Sequence, residues 1–249
     1  MNRGIRKPLS PARRMCVELL RHAQRVPIVA TGRTFPVGDL TQLRGQLSWT
    51  VLFLKAYALT AGVHPELRTA YIPYPWPHLY EHPFSEIAIM VERELGDERA
   101  TLAAKLRAPE TMPLTEIAAH LKRFRDAPVH EISDFRQILR HGKLPLLWRR
   151  FLFWNTLYLS GFKRAKRFGT AMVSSVGQFG AEQFTPRTPL TTYFSIGPVS
   201  ATGEVTVKIL YDHRVMDDGH VARALQTVER ILLSEIRDEL LAMPERALG

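Results

Sequence analysis

The segment GEVTVKIL, residues 203–210, sets Val205, Val207 and Ile209 on one side of an extended chain and Thr206, Lys208 and Leu210 on the other. A period of two with one strongly apolar face predicts a β-strand. Downstream, Val221, Ala222, Leu225, Val228, Leu232, Ile236 and Leu240 recur at helical spacing, which predicts a long final helix. Strand and helix each carry an apolar face that has to be buried on another layer. Between them stands YDHRVMDDGH, residues 211–220, a polar turn held by two rigid elements. Such turns are where reactive groups are usually placed.

His213 is flanked on that turn by Asp212, Arg214, Asp217 and Asp218. A general base needs an imidazole whose tautomer and orientation are fixed by a partner, with a pKa near the working pH. The cluster supplies partners of that kind. It has equally the composition of a surface salt-bridge network.

The rest of the chain alternates in the same way. Ser10 before Pro11 starts a helix running to about residue 25, with a capping hydroxyl and a preset φ. Residues 27–37 read as extended, and GDLTQLRGQL as a short helix opened by Asp39. SWTVLFLKAYALTAGV is apolar nearly all round, so it is a core helix, and His64-Pro65 ends it. TAYIPY, SEIAIMVE and RATLAAKL read as strands, PLTEIAAHLKRFRD as an amphipathic helix, and GTAMVSSVG and TTYFSIGPV as further strands. Intermingled strands and helices predict an α/β layered domain.

The chain has 249 residues, 45% of them hydrophobic, enough for a large core in one domain or two. Its one cysteine, Cys16, excludes an internal disulfide and a cysteine zinc site, which points to a reducing, cytoplasmic setting. Cys16 falls in a helical pattern and reads as a buried thiol, not a nucleophile. A net charge of +10 favours anionic partners. No recognition motif accompanies that charge, so nucleic acid is not expected. The basic N-terminus lacks the apolar stretch of a secretory signal, and no run approaches the length of a membrane span.

One segment stands apart. In GKLPLLWRRFLFWNTLYLSGFKRAKRFG, Trp148, Phe151, Trp154 and Tyr158 are packed between basic runs. It reads as a helix buried on the body of the protein or on another subunit. The alternative is a peripheral helix at a lipid boundary. Arg149 and Arg150 argue against spanning a bilayer.

YDHRVMDDG resembles the His-x-x-x-Asp-Gly signature of the acyltransferase component of 2-oxoacid dehydrogenase complexes, shared with chloramphenicol acetyltransferase. Independently, residues 169–200, GTAMVSSVGQFGAEQFTPRTPLTTYFSIGPVS, are similar to that family's segment from a Gly-Thr strand through a Ser-containing turn to a Phe-Thr-Pro turn and the next strand. HPELRTAYI, HPFSEIAIMV and the stretch from Pro8 to Arg44 resemble its central strands and its opening elements. The similarity covers nearly the whole chain except about 130–168.

The resemblance implies a single catalytic domain over 1–249, a chloramphenicol acetyltransferase-like two-layer sandwich with a mixed sheet covered by helices. A basic, aromatic insertion at about 142–168 takes the place of a short connection, and neither a lipoyl nor a subunit-binding domain is expected. The implied activity moves an acyl group between coenzyme A, as acyl-CoA co-substrate, and a thiol, hydroxyl or amine acceptor. His213 would be the general base and Ser174 the oxyanion donor, with Asp217 holding the turn. Ser175 would support its neighbouring turn, and His220 would be a helix-start residue. No metal is implied. The expected assembly is a homotrimer, with the histidine and the serine of each site from different chains. The other readings are a core subunit whose lipoyl-bearing partner is a separate chain, and a catalytically weak oligomeric scaffold. One departure matters: Asp218 stands where the family has glycine. If that turn needs positive φ, Asp218→Gly, which restores the family residue, should be tolerated and should raise activity.

Overall fold

The computed structural model of the chain describes residues 4–175, 180–181 and 183–243. Helix α1 (Pro11–Ala23) starts as expected, with the Ser10 hydroxyl accepting the Arg13 N–H at 3.1 Å. Strand β1 (Ile28–Pro36) follows. Helix α2 (Gly38–Leu43) opens at Val37, and Asp39 lies in its first turn instead of capping it. Helix α3 (Trp49–Val63) is buried on nearly every side, as its all-round apolar sequence requires. Strands β2 (Thr69–Ile72) and β3 (His78–Glu81) pair as a small separate sheet. Strands β4 (Glu86–Leu95) and β5 (Glu98–Arg107) form a hairpin, and α4 (Leu114–Asp126) follows it.

Three helices come next: α5 (Ser133–Gly142), α6 (Leu146–Tyr158) and α7 (Gly161–Phe168). Ser160 divides the aromatic segment by capping α7, its hydroxyl accepting the Lys163 N–H at 3.3 Å. Gly169, at φ 97°, turns the chain into β6 (Ala171–Ser175), and a Cβ there would lie 2.7 Å from the Glu86 carbonyl oxygen. Strands β7 (Thr192–Val199) and β8 (Glu204–Asp212) lead to α8 (Asp218–Ile231). A π-helical turn over Leu232–Ile236 joins α8 to α9 (Arg237–Ala242).

The large sheet has the order β1-β8-β7-β6-β4-β5. It is mixed: β6 runs parallel to β4 and β7, and the remaining pairs are antiparallel. Its two faces are covered differently. Ile87, Leu102, Val173, Phe194, Val207 and Ile209 point into the main core with α3 and α8. Met172, Tyr193 and Leu210 point the other way, where Leu19 of α1 and Phe168 of α7 meet them. This is the α/β layered architecture expected, a mixed sheet covered by helices.

Helix α1 is clamped from outside. At Gly142 a Cβ would sit 2.1 Å from the Pro11 carbonyl oxygen, so only glycine lets α5 approach so closely. Arg149 and Arg150 of α6 converge on the buried Glu18 of α1, each at 3.8 Å. Phe153 and Leu157 pack on Met15. One face of α6 is thus on the body of the protein, while Leu147, Trp148 and Phe151 face outward. Among the described residues no helix is long and apolar enough to cross a membrane. Cys16 is only half-buried, a correction to the sequence reading: it lies on the side of α1 that borders a cavity and not in the core.

Candidate active site

The turn after β8 is fixed by backbone bonds before any side chain acts. The Asp212 N–H donates to the Thr191 carbonyl at 2.8 Å, and the His213 N–H donates to the Pro27 carbonyl at 3.1 Å. The His213 Nδ1 lies 3.1 Å from the Met216 carbonyl oxygen. A carbonyl can only accept, so Nδ1 carries a proton, which in the neutral ring leaves the lone pair on Nε2. The Asp217 Oδ1 stands 3.5 Å from the same Nδ1. The imidazole side chain is 47% exposed, so a substrate can reach it. The ring is thus oriented by its own turn and open to solvent.

Asp212 does something else. Its side chain is fully buried, and it accepts from the Arg214 Nε at 2.9 Å, the Arg214 Nη2 at 2.7 Å and the Arg214 N–H at 3.0 Å. The Arg214 guanidinium lies over the Tyr71 ring at 4.6 Å. Beside them Arg164 is buried, donating to the carbonyls of Tyr71 and Pro189 at 2.9 and 2.8 Å. Burial pulls the Arg164 pKa down to about 10, and the Asp212 charge works against that pull. Asp212 therefore pairs with Arg214 and offsets part of the charge of Arg164 behind the histidine, while the His213 ring is held by Met216 and Asp217.

Ser174 ends the described part of β6 that faces away from the core, and it is 7% exposed. It hydrogen-bonds the Tyr193 hydroxyl, which itself donates to the Gln183 Oε1 at 2.7 Å. The backbone of Ser175 ends β6; the turn it was expected to support, residues 176–179, lies outside the described residues. His220 is indeed a helix-start residue, its Nδ1 accepting the Asp217 N–H at 3.4 Å.

One chain does not bring His213 and Ser174 together. The register puts Ser174 level with Ser195 on β7 and with Lys208 on β8. His213 lies about five residues farther along β8, in the direction away from Ser174, or roughly 16 Å at ~3.3 Å per residue. Two strand spacings of ~4.8 Å separate them sideways. The two groups occupy opposite ends of the sheet, on strands separated by β7.

No protein-family model matches the chain. No curated protein matches it significantly. Solved structures do. The chain superposes on dihydrolipoamide acetyltransferase from Azotobacter vinelandii with a TM-score of 0.67 and 18% identity, covering 96% of this chain and 94% of that one. That structure was determined to investigate the roles of a serine, a histidine and an asparagine in the catalytic mechanism. A probable dihydrolipoamide acetyltransferase from Listeria monocytogenes gives 0.65 and 16%, over 92% and 94%. A truncated catalytic core of the 2-oxoacid dehydrogenase multienzyme complex from Thermoplasma acidophilum gives 0.62 and 14%, over 93% and 99%. The chain has the fold of a dihydrolipoamide acetyltransferase catalytic core.

Within this acetyltransferase fold the expected difficulty at Asp218 does not arise. Asp218 is the first residue of α8, and Ala108 is the only non-glycine at positive φ among the described residues. Gly219 is not at positive φ either. Instead the Asp218 Oδ1 accepts a hydrogen bond from the buried Tyr211 hydroxyl. Burial, reinforced by this carboxylate, pushes the Tyr211 pKa up to about 12. The aspartate thus ties the first turn of α8 to the last residues of β8. Among the described residues no group of three or more His, Cys, Asp or Glu side chains is placed to hold a metal ion.

Proposed function

We propose that this chain is a coenzyme A-dependent acyltransferase that works as a cyclic trimer, each site lying between two subunits. The observation that carries this reading is the opposed placement of His213 and Ser174. Each is oriented by its own surroundings, and the two lie too far apart in one chain to act on one bond. A ring of heterologous interfaces would present the histidine end of one subunit to the serine end of the next. The serine, histidine and asparagine investigated in the Azotobacter enzyme are of the types found here as Ser174, His213 and Asp217, with aspartate in place of asparagine.

The chemistry follows from the tautomer. The His213 Nε2 takes the proton of an acceptor thiol, and the resulting thiolate forms a bond to the carbonyl carbon of an acyl thioester. The carbonyl oxygen becomes an oxyanion, and the Ser174 hydroxyl turns from Tyr193 to donate to it. One such donor is worth about 2.7–4 kcal/mol. Collapse breaks the original carbon–sulfur bond, and the leaving thiolate recovers the proton from His213. Asp217 stabilises the imidazolium formed between the two transfers. Hydroxyl and amine acceptors follow the same scheme. The net charge of +10 suits a co-substrate rich in phosphate.

We place the trimer in a reducing, cytoplasmic compartment, with residues 142–168 as an elaboration of a single catalytic domain. A second reading is a core subunit that takes its acyl group from a lipoyl-bearing partner chain. The test offers acyl-CoA with free dihydrolipoamide, then with a lipoyl domain, and follows release of coenzyme A thiol. Turnover that disappears in His213→Ala supports the reading. Absence of turnover with every acyl-CoA would leave a scaffold.

A further inference from the structure

Between the outer face of the sheet and helices α1, α5 and α6 lies a cavity of about 250 Å³. Its floor is Met90, Ala103, Met172 and Leu190, and its roof includes Ile138 and Phe153. The register ties this cavity to Ser174. Met172 and Ser174 are two residues apart on β6 and so share a face. On β4 the ladder pairs Ile89 with Val173, so the next residue, Met90, stands beside Ser174. Met90 in turn pairs with Ala103 of β5. Ser174, Met90 and Ala103 therefore form one row across three adjoining strands, spaced by ~4.8 Å. Met90 and Ala103 of that row line the cavity, so Ser174 stands one strand away from its floor.

We infer that this cavity holds the acyl chain of the substrate, a linear apolar chain of about eight carbons whose carbonyl lies at Ser174. The length follows from the volume: at about 30 Å³ per water-sized group, the space takes roughly eight. The apolar floor and roof suit a hydrocarbon, while Thr101, Gln137 and Thr156 and the Lys105–Asp134 ion pair, closed at 2.9 Å, line the remaining wall. The charge at the rim fits the rest of such a molecule. Arg13 and Arg99 are exposed there and spend their charge on Glu98 and Glu94, whereas Arg167 makes no ion pair among the described residues. A cation at the mouth of an apolar slot suits a chain attached to an anionic carrier, either a phosphate-bearing thioester or the carboxylate of a free fatty acid. The inference rests on the acyltransferase reading for the position of the carbonyl, and on the cavity alone for the chain.

Calorimetric titration of the full chain with acetyl-CoA, octanoyl-CoA and sodium octanoate separates these possibilities. Octanoyl-CoA is expected to bind at least tenfold more tightly than acetyl-CoA. Ala103→Trp, which fills the floor, and Gln137→Trp, at a half-exposed position on α5 lining the same space, should each abolish that preference. Circular dichroism and melting identify which variants are folded. Gln137→Trp keeps the test open if the floor variant does not fold. If no CoA ester binds but octanoate does, and the folded variant loses it, the chain cavity stands and the coenzyme A reading fails. Equal affinity for the two CoA esters together with no octanoate binding overturns the inference. So does a chain-length preference that survives in every folded variant, because the chain would then lie elsewhere.

Discussion

Removing the imidazole at His213 leaves the turn intact, because its backbone bonds to Pro27 and Thr191 do not involve the ring. His213→Ala should therefore keep the fold and lower acyl transfer by about 10²–10⁴-fold, the usual share of a general base. Steady-state loss of acyl-CoA, followed by chromatography, checks this on the folded variant; more than about a tenth of the original rate would remove His213 from that role. Asp218 behaves differently. Replacing it by glycine takes the acceptor from the buried Tyr211 hydroxyl, which should cost about 1–3 kcal/mol. Tyr211→Phe, which removes the orphaned donor too, should cost less, and denaturant midpoints of the two variants give the order. The sequence pointed the other way at this position, since family resemblance marked Asp218 as an anomaly. Its real setting depends on Tyr211 being turned toward α8, which no local pattern encodes. Asp212 was hidden for the same reason. In sequence it looks like one more charge beside the histidine, and only the fold brings Arg164 up beside it.

At the scale of elements, the interface of α1 with α6 carries a pH dependence. His22 stacks on Phe153 at 5.6 Å, and its Nδ1 meets the Tyr158 hydroxyl at 2.9 Å. The Nε2 is buried without a partner. Burial first, then Arg25 and Arg21, hold its pKa down to about 4, against 6.5 for an ordinary histidine. A depressed histidine favours the neutral folded state. Stability should thus be complete above about pH 6.5 and fall as the pH drops toward 4. Melting curves across that range should show the loss, and His22→Phe should flatten it. Elements with clean periodicity were legible from sequence: α1, α3, β4, β8 and the course of the final helix. Strand β3 was not, because four mostly exposed residues leave no alternation to read. The roof of the cavity was not legible either, since α5 and α6 are placed by distant contacts such as Gly142 on Pro11, two arginines on Glu18 and Phe153 on Met15.

For the molecule as a whole, the opposed ends of the sheet make a sharp prediction. Subunits carrying His213→Ala and subunits carrying Ser174→Ala should each be nearly inactive. When the two are unfolded together and refolded in equal amounts, each interface draws its chains at random. Roughly a quarter of the interfaces then join an intact histidine to an intact serine, and activity should return toward that fraction. Mixed trimers without recovery would place the site within one chain. The outward face of α6, with Leu147, Trp148 and Phe151, belongs at this scale as well. Cell fractionation should release the protein with salt and without detergent. Retention in the pellet would show that this face enters lipid.

The order of strands also governs how the chain reaches this state. Strand β1 pairs with β8, so Ile28 waits for Asp212 before its ladder can form. Of the six strands in the large sheet, β4–β5 and β7–β8 alone are joined by short local connections. Until β8 is in place, β1 has no partner in this sheet. Distant pairings of this kind slow folding and leave sticky edges exposed meanwhile. Closing β1 onto β8 is thus a long-range step that the two local hairpins do not need.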